Sequence, residues 1–251
     1  MTRITTPDNF ENKNPVIGFG PKVVPEELQH YIRVLIDRIH YASSIPGMEG
    51  MIQLHNAFAA YVIEMFFFTT GHRPTIRAFA NIHNFDLGRE LLLISDKDRA
   101  DAKNTRIVPL VDVVVAQLGR YQEHVGHLDR LRPGWARATT RRTGARTRPL
   151  LLAIDQKYTI RWQSFMARDL KRLRRGCLQP EDNLQRSYLS TRLNELGCPG
   201  AYIEAFLGHW HSGLNPYSIY SALPPLKLAG ILRPYLEDIA AQDGWRPLDA
   251  F

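Results

Sequence analysis

The sequence predicts a mainly α-helical fold with one small antiparallel β-sheet, an α+β class. Three observations carry that expectation. Most segments repeat apolar residues at helical spacing. The period shortens to a strand-like pattern only around residues 91–108 and near 150–154. No segment repeats itself along the 251 residues. The composition, 44% hydrophobic and 23% charged, is that of an ordinary globular chain and excludes wholesale disorder and fibrous repeats. The length lies between one large domain and one domain with an arm.

Residues 1–24 lack periodicity and carry Pro, Asn and Gly, so they read as an arm or linker. Pro25-Glu26-Glu27 opens a helix, with proline in the first turn and acids facing the dipole. It runs to about Tyr41, and the SSIPG stretch breaks it. A second helix from about Met48 to Phe68 is very apolar at its end and is the expected central core helix. Its longest apolar stretch, Ala57 to Phe68, is 12 residues and contains Glu64. A spanning helix needs ~20, so no membrane segment is expected. Thr69-Thr70-Gly71 stops the helix, and a helical turn follows from Pro74 to about Asn81.

Leu91–Ile94 and Arg106–Val108 read as strands, with SDKDRADAKNT as the hairpin tip between them. From Val111 the period is helical again, and Val111, Val114, Val115, Leu118, Tyr121 and Val125 share one face. Residues 130–148 hold seven arginines and no acid among Gly, Pro and Thr, a loop pattern. Leu150–Ile154 reads as an isolated edge strand. Helices are expected at about 163–175, 184–196, 200–207 and 226–241.

The charge is one-sided. The chain has 25 Arg and 7 Lys, for a net charge of +7. Residues 120–192 alone hold 15 Arg and 2 Lys against 6 acids, a net of +11. Such a segment, built from arginine rather than lysine, suggests a polyanion partner, since the guanidinium fork matches paired phosphate oxygens. Its structural alternative is a solvated basic surface. Cys177 and Cys198 give no disulfide framework, and MTRITTPDNF has no apolar signal core, so a cytoplasmic location is expected.

Four features could carry chemistry. Arg73, in Thr70-Gly71-His72-Arg73-Pro74, sits at a tight turn after the core helix; otherwise it is a surface arginine behind a capping glycine. Arg186 lies three residues before Leu189, on the inward stripe of Leu189, Leu193 and Leu196. A guanidinium there needs a partner, either an internal carboxylate or a bound phosphate. In Leu207-Gly208-His209-Trp210-His211, glycine ends a short helix and presents His209, although a histidine beside a tryptophan is usually structural. Tyr217 and Tyr220, in NPYSIYS, are loop residues whose ordinary role is packing. No Cys or acid sits at zinc-ligand spacing, and His124 and His127 form no HExxH pattern, so no metal is expected.

The order and spacing of these features, taken with AKNTRIVPL, resemble the catalytic domain of the tyrosine recombinase (phage integrase) family over roughly residues 26–245. The most specific stretch is NLQRSYLSTRLNELGCPGAYIEAFLGHWHSGLNPYSIYS, residues 183–221. The resemblance implies a DNA breaking-and-rejoining enzyme that acts through a 3′-phosphotyrosyl intermediate. It matches Arg73 and Arg186 to the family's two catalytic arginines, His209 to its LGH histidine and Tyr220 to its nucleophile, with Tyr217 as the rival. Lys97 or Lys103 matches the hairpin lysine, Lys97 being favoured because it comes just after the LLLIS strand. Asn183 stands where the family usually has His, and it is also a strong helix N-cap residue. Ile76 stands where an acid is often found. Tyr220 follows His209 by 11 residues, so Trp210-His211 reads as an insertion.

The chemistry needs those residue types. Metal-free cleavage of a phosphodiester requires a nucleophile, cations for the transition state and an acid for the leaving oxygen. Two arginine forks suit the non-bridging oxygens, and a lysine suits the departing 5′ oxygen. The resemblance further implies double-stranded DNA as partner, no cofactor, a homo-tetramer on DNA with a monomer possible without it, and a bacterial, nucleoid-associated setting. Residues 25–251 would be the catalytic domain, part of a longer chain whose core-binding domain is not in this sequence. Arg141, Arg142, Arg146 and Arg148 are expected to contact DNA. Two rival readings stand beside this one. One is a non-catalytic, sequence-specific DNA-binding protein on the same scaffold, which Asn183 supports. The other is a metal-dependent nuclease, disfavoured because the sequence shows no carboxylate cluster.

Overall fold

A computed structural model describes residues 23–73, 79, 84–95, 105–131, 152–155, 161–164, 167–178, 183–208 and 224–250. The fold is mainly helical with a small antiparallel sheet, as the periodicity predicts. Residues 1–22 of the expected arm, the 74–81 turn apart from Phe79, residues 96–104 of the hairpin tip and most of the 130–148 loop lie outside the described residues.

Helices α1 (Pro25–Ser43) and α2 (Gly47–Thr70) are joined by a three-residue break and pack together. The α1 start is as its sequence predicts: proline in the first turn, and the Glu27 carboxylate accepting from the Val24 N–H at 3.3 Å. Helix α2 is the centre of the molecule. By length and composition it could cross a bilayer, yet 78% of its most apolar window is buried inside the fold. Phe58, Phe66, Phe67 and Phe68 are wholly enclosed. An all-round apolar helix is stable in water only when covered like this.

Strands β1 (Phe85–Asp86), β2 (Leu91–Ser95) and β3 (Thr105–Pro109) form the three-stranded sheet, with Leu92 opposite Val108 and Ile94 opposite Arg106. Helix α3 (Asp112–Leu131) buries Val114, Leu118 and Tyr121 in the main core, and Leu128 in a smaller cluster with Ile52 and Ile154. Strands β4 (Leu152–Asp155) and β5 (Arg161–Ser164) form a separate hairpin, held to α2 by Asn56. The Asn56 side chain donates to Ile154 O at 2.9 Å and accepts from Ile154 N at 2.7 Å. Two sequence expectations are corrected here. The strand expected at 150–154 is not isolated, and the helix expected from 163 begins only at Ala167, because residues 161–164 pair as a strand. RWQS is too short to display an alternation.

Helices α4 (Ala167–Arg174), α5 (Leu184–Glu195), α6 (Gly200–Leu207) and α7 (Pro225–Asp243) complete the described elements. Helix α7 packs on its own chain, against β3, α1, α5 and α6. The tail beyond it is tied down as well. Gln117 donates to Leu248 O and accepts from Leu248 N, and the Tyr61 hydroxyl donates to Arg246 O at 2.7 Å.

Candidate functional site

Helices α2 and α6 both end on glycines in left-handed backbone geometry, Gly71 at φ 59° and Gly208 at φ 67°. Glycine takes this conformation without the strain a Cβ brings. The last turn of a helix leaves carbonyl oxygens without intrahelical partners and carries the negative end of the dipole. Here the two helix ends face each other, and two buried arginines lie between them.

Arg186, 4% exposed on the first turn of α5, donates from Nη1 to Gly71 O at 3.0 Å and from Nη2 to Leu207 O. Arg106, 3% exposed on β3, donates from Nη2 to Gly71 O at 2.8 Å, and from Nη1 to Thr70 O at 3.3 Å and to Phe206 O. Its guanidinium also lies 5.7 Å from the centre of the Phe206 ring. Beside them, Gln185 donates to His72 O at 2.8 Å, and His72 Nδ1 donates to Arg73 O at 2.6 Å. Each carbonyl oxygen from Thr70 to Arg73 therefore accepts a side-chain hydrogen bond.

Behind this turn lies a buried ion pair. Arg174 on α4 donates to Glu64 on α2 from Nε at 2.9 Å and from Nη2 at 2.6 Å. The Tyr31 hydroxyl donates to the same carboxylate at 3.1 Å, and Arg174 also reaches Gln185 at 3.4 Å. Burial alone would lower the Arg174 pKa, but the carboxylate beside it outweighs that and holds the charge. Burial, with the Glu64 charge, pushes the Tyr31 hydroxyl well above its ordinary range. The chain of contacts runs from α1 through α2 and α4 to α5, and ends at the residue before Arg73.

The expected site residues are distributed as follows. Arg73 is half-buried, directly after the bonded turn. Arg186 is buried against the same turn, bonded to Gly71, two residues before Arg73, and to Leu207, two residues before His209. Asn183 occupies the N-cap position of α5 and is exposed, but its side chain makes no capping bond. Its carbonyl instead accepts from Arg186 N at 2.9 Å and Ser187 N at 3.1 Å. Lys97, Lys103, His209, Tyr217 and Tyr220 lie outside the described residues, as do Arg141, Arg142, Arg146 and Arg148.

Two residues of this cluster were not singled out from the sequence, Arg106 and Gln185. A signal existed for Arg106: strand alternation puts it on the inward face with Val108, and both are buried. Gln185 gives none, because Leu184, Gln185 and Arg186 are all buried in one crowded helical turn.

No protein-family model matches the chain, and no curated protein matches it. Among solved structures it is similar to one described as the crystal structure of XerA recombinase. The two are 14% identical, with a TM-score of 0.45, over 94% of this chain and 68% of that chain.

Proposed function

We propose that this chain is the catalytic part of a site-specific DNA recombinase, which cuts and rejoins double-stranded DNA through a 3′-phosphotyrosyl intermediate. The observation that carries the reading is one hydrogen-bonded cluster. Gly71, two residues before Arg73, and Leu207, two residues before His209, are bonded to the same Arg186 guanidinium. Three separate stretches of sequence, each selected for a catalytic role, meet at one point.

In this reading Arg73 and Arg186 grip the two non-bridging oxygens of the scissile phosphate. The Tyr220 oxygen attacks phosphorus and gives up its proton with help from His209. The bond from phosphorus to the 5′ oxygen breaks, and Lys97 or Lys103 supplies that oxygen with a proton. The ester bond is retained on tyrosine, so reversal onto another 5′-hydroxyl needs no nucleotide cofactor. Preorganised cations are the strongest contribution available to such a site. The partner is double-stranded DNA, assembled with four copies of the chain in a bacterial cytoplasm.

The test is covalent trapping on a nicked duplex carrying the ends of the native element, with peptide mapping of the adduct. Loss of the adduct in Tyr220→Phe alone assigns the nucleophile to Tyr220, whereas loss in Tyr217→Phe alone moves it to Tyr217. Arg186→Lys should abolish the adduct while the circular dichroism spectrum is kept, because a point charge cannot replace the fork. The second reading, a non-catalytic DNA-binding protein on the same scaffold, is favoured by Asn183 in place of histidine. It predicts DNA binding without any adduct.

A further inference from the structure

We infer that Arg106 is a positioning residue for the anion site, an inference that rests on the reading above. Its guanidinium bonds both helix ends at once: Thr70 O and Gly71 O at the end of α2, and Phe206 O at the end of α6. Gly71 O is also the acceptor for Arg186. The two guanidinium groups therefore share one carbonyl oxygen, and the position of one limits the position of the other. A charge buried this deeply is costly unless it is held by good hydrogen bonds and opposite partial charge. Two helix C-termini supply both.

The consequence for the site is geometric. Arg106 ties together the turn that delivers Arg73, the carbonyl that holds Arg186 and the helix end that leads to His209. It also stands one pair in from the loop end of the β2–β3 ladder, three residues after Lys103 in the sequence and opposite Ile94 on β2. The strand pair that flanks residues 96–104, where the sequence holds both lysine candidates, is thereby fixed to the helix ends next to the arginines. Lysine cannot reproduce this arrangement. Its ammonium is a single point, whereas here two Nη atoms span three carbonyl oxygens. A displacement of about 1 Å at such a site can cost on the order of a hundredfold in rate.

The experiment compares wild type, Arg106→Lys and Arg106→Gln in single-turnover adduct formation at saturating nicked duplex. Thermal melting and DNA affinity are followed in parallel. A purely structural residue lowers the amplitude of the burst, because part of the protein is unfolded, and leaves its rate constant alone. A positioning residue lowers the rate constant of the folded fraction. The expected result for Arg106→Lys is a rate constant reduced by about tenfold to a hundredfold, with DNA affinity held within about twofold. An unchanged rate constant in both variants overturns the inference, and so does failure of both variants to fold, which would make Arg106 a folding residue.

If the wild-type chain binds the duplex and forms no adduct, the recombinase reading fails separately. Positioning is then read from tungstate binding by calorimetry. Wild type should bind, with weakening of about tenfold or more in Arg106→Lys and in Arg186→Lys. Equal tungstate binding by wild type and Arg106→Lys, or no tungstate binding by wild type, overturns the inference.

Discussion

His124 and Asp243 are two buried titratable residues whose effects on stability run in opposite directions with pH. His124 on α3 accepts or donates to His55 on α2 across 3.0 Å, and the two rings stack. Burial first, then the neighbouring His55 and His127 charges, lowers its pKa from 6.5 to about 3. The folded state keeps it neutral while the unfolded chain takes up a proton. Its contribution is therefore complete above pH 6.5 and is lost as pH falls toward 3. Asp243 at the end of α7 accepts from the Tyr188 hydroxyl, while its Oδ2 is buried and receives no bond among the described residues. Burial raises its pKa from 3.8 to about 6, against the Tyr188 bond and the Arg192 charge. Its cost is thus complete above pH 6 and relieved as pH falls toward 3.8. Asp243→Asn should therefore be more stable than wild type at pH 7, by at most about 3 kcal/mol, and should lose that margin by about pH 4. Urea denaturation at several pH values measures this, and a margin that does not vary with pH would rule it out. At Gly71 the left-handed backbone makes Gly71→Ala cost about 1–2 kcal/mol in the same measurement.

At the scale of elements, the Glu64–Arg174 pair joins α2 to α4, and Gln185 extends the connection to α5. Both partners are almost completely buried, with side-chain exposures of 0% and 3%. Removing one charge of such a pair leaves the other without compensation. Glu64→Gln should destabilise the fold by about 3–5 kcal/mol, seen as a lower denaturation midpoint. Replacing both residues by apolar ones of similar volume should recover much of that loss. If Glu64→Gln costs less than about 1 kcal/mol, the pair is not holding α4 in place. The elements themselves were legible to different degrees. Helices α1, α2, α5, α6 and α7 fall within about two residues of their expected bounds, because long apolar stripes and capping glycines mark them. Strand β1 has only two residues and β5 only four, too short for period two to register.

For the whole molecule, the proposed function assigns association with DNA to the basic segment. A log–log salt slope of about −5 is expected if ~6 phosphates are neutralised. Replacing Arg141, Arg142, Arg146 and Arg148 together with alanine should flatten that slope by up to about 3–4 units while the melting temperature stays put. An unchanged slope and affinity would make the segment a solvated surface. The C-terminal tail binds to the same body. Trp245 packs 5.4 Å from the Tyr61 ring, and Arg120 pairs with Asp249 at 2.9 Å.

The sequence by itself determined the mainly helical class, the core position of residues 57–68, the inward face of Arg186 and the glycines that end the two facing helices. All of these are local: apolar period, helix stops and backbone freedom are properties of neighbouring residues. The joining of the helix ends was decided only by tertiary structure. Arg106 reaches acceptors 35, 36 and 100 positions away, and all of them are backbone carbonyls, whose chemistry is the same in every residue. No side-chain pattern marks such an acceptor. It becomes a site only when two helices stop face to face and leave their last carbonyls to be satisfied by a buried charge.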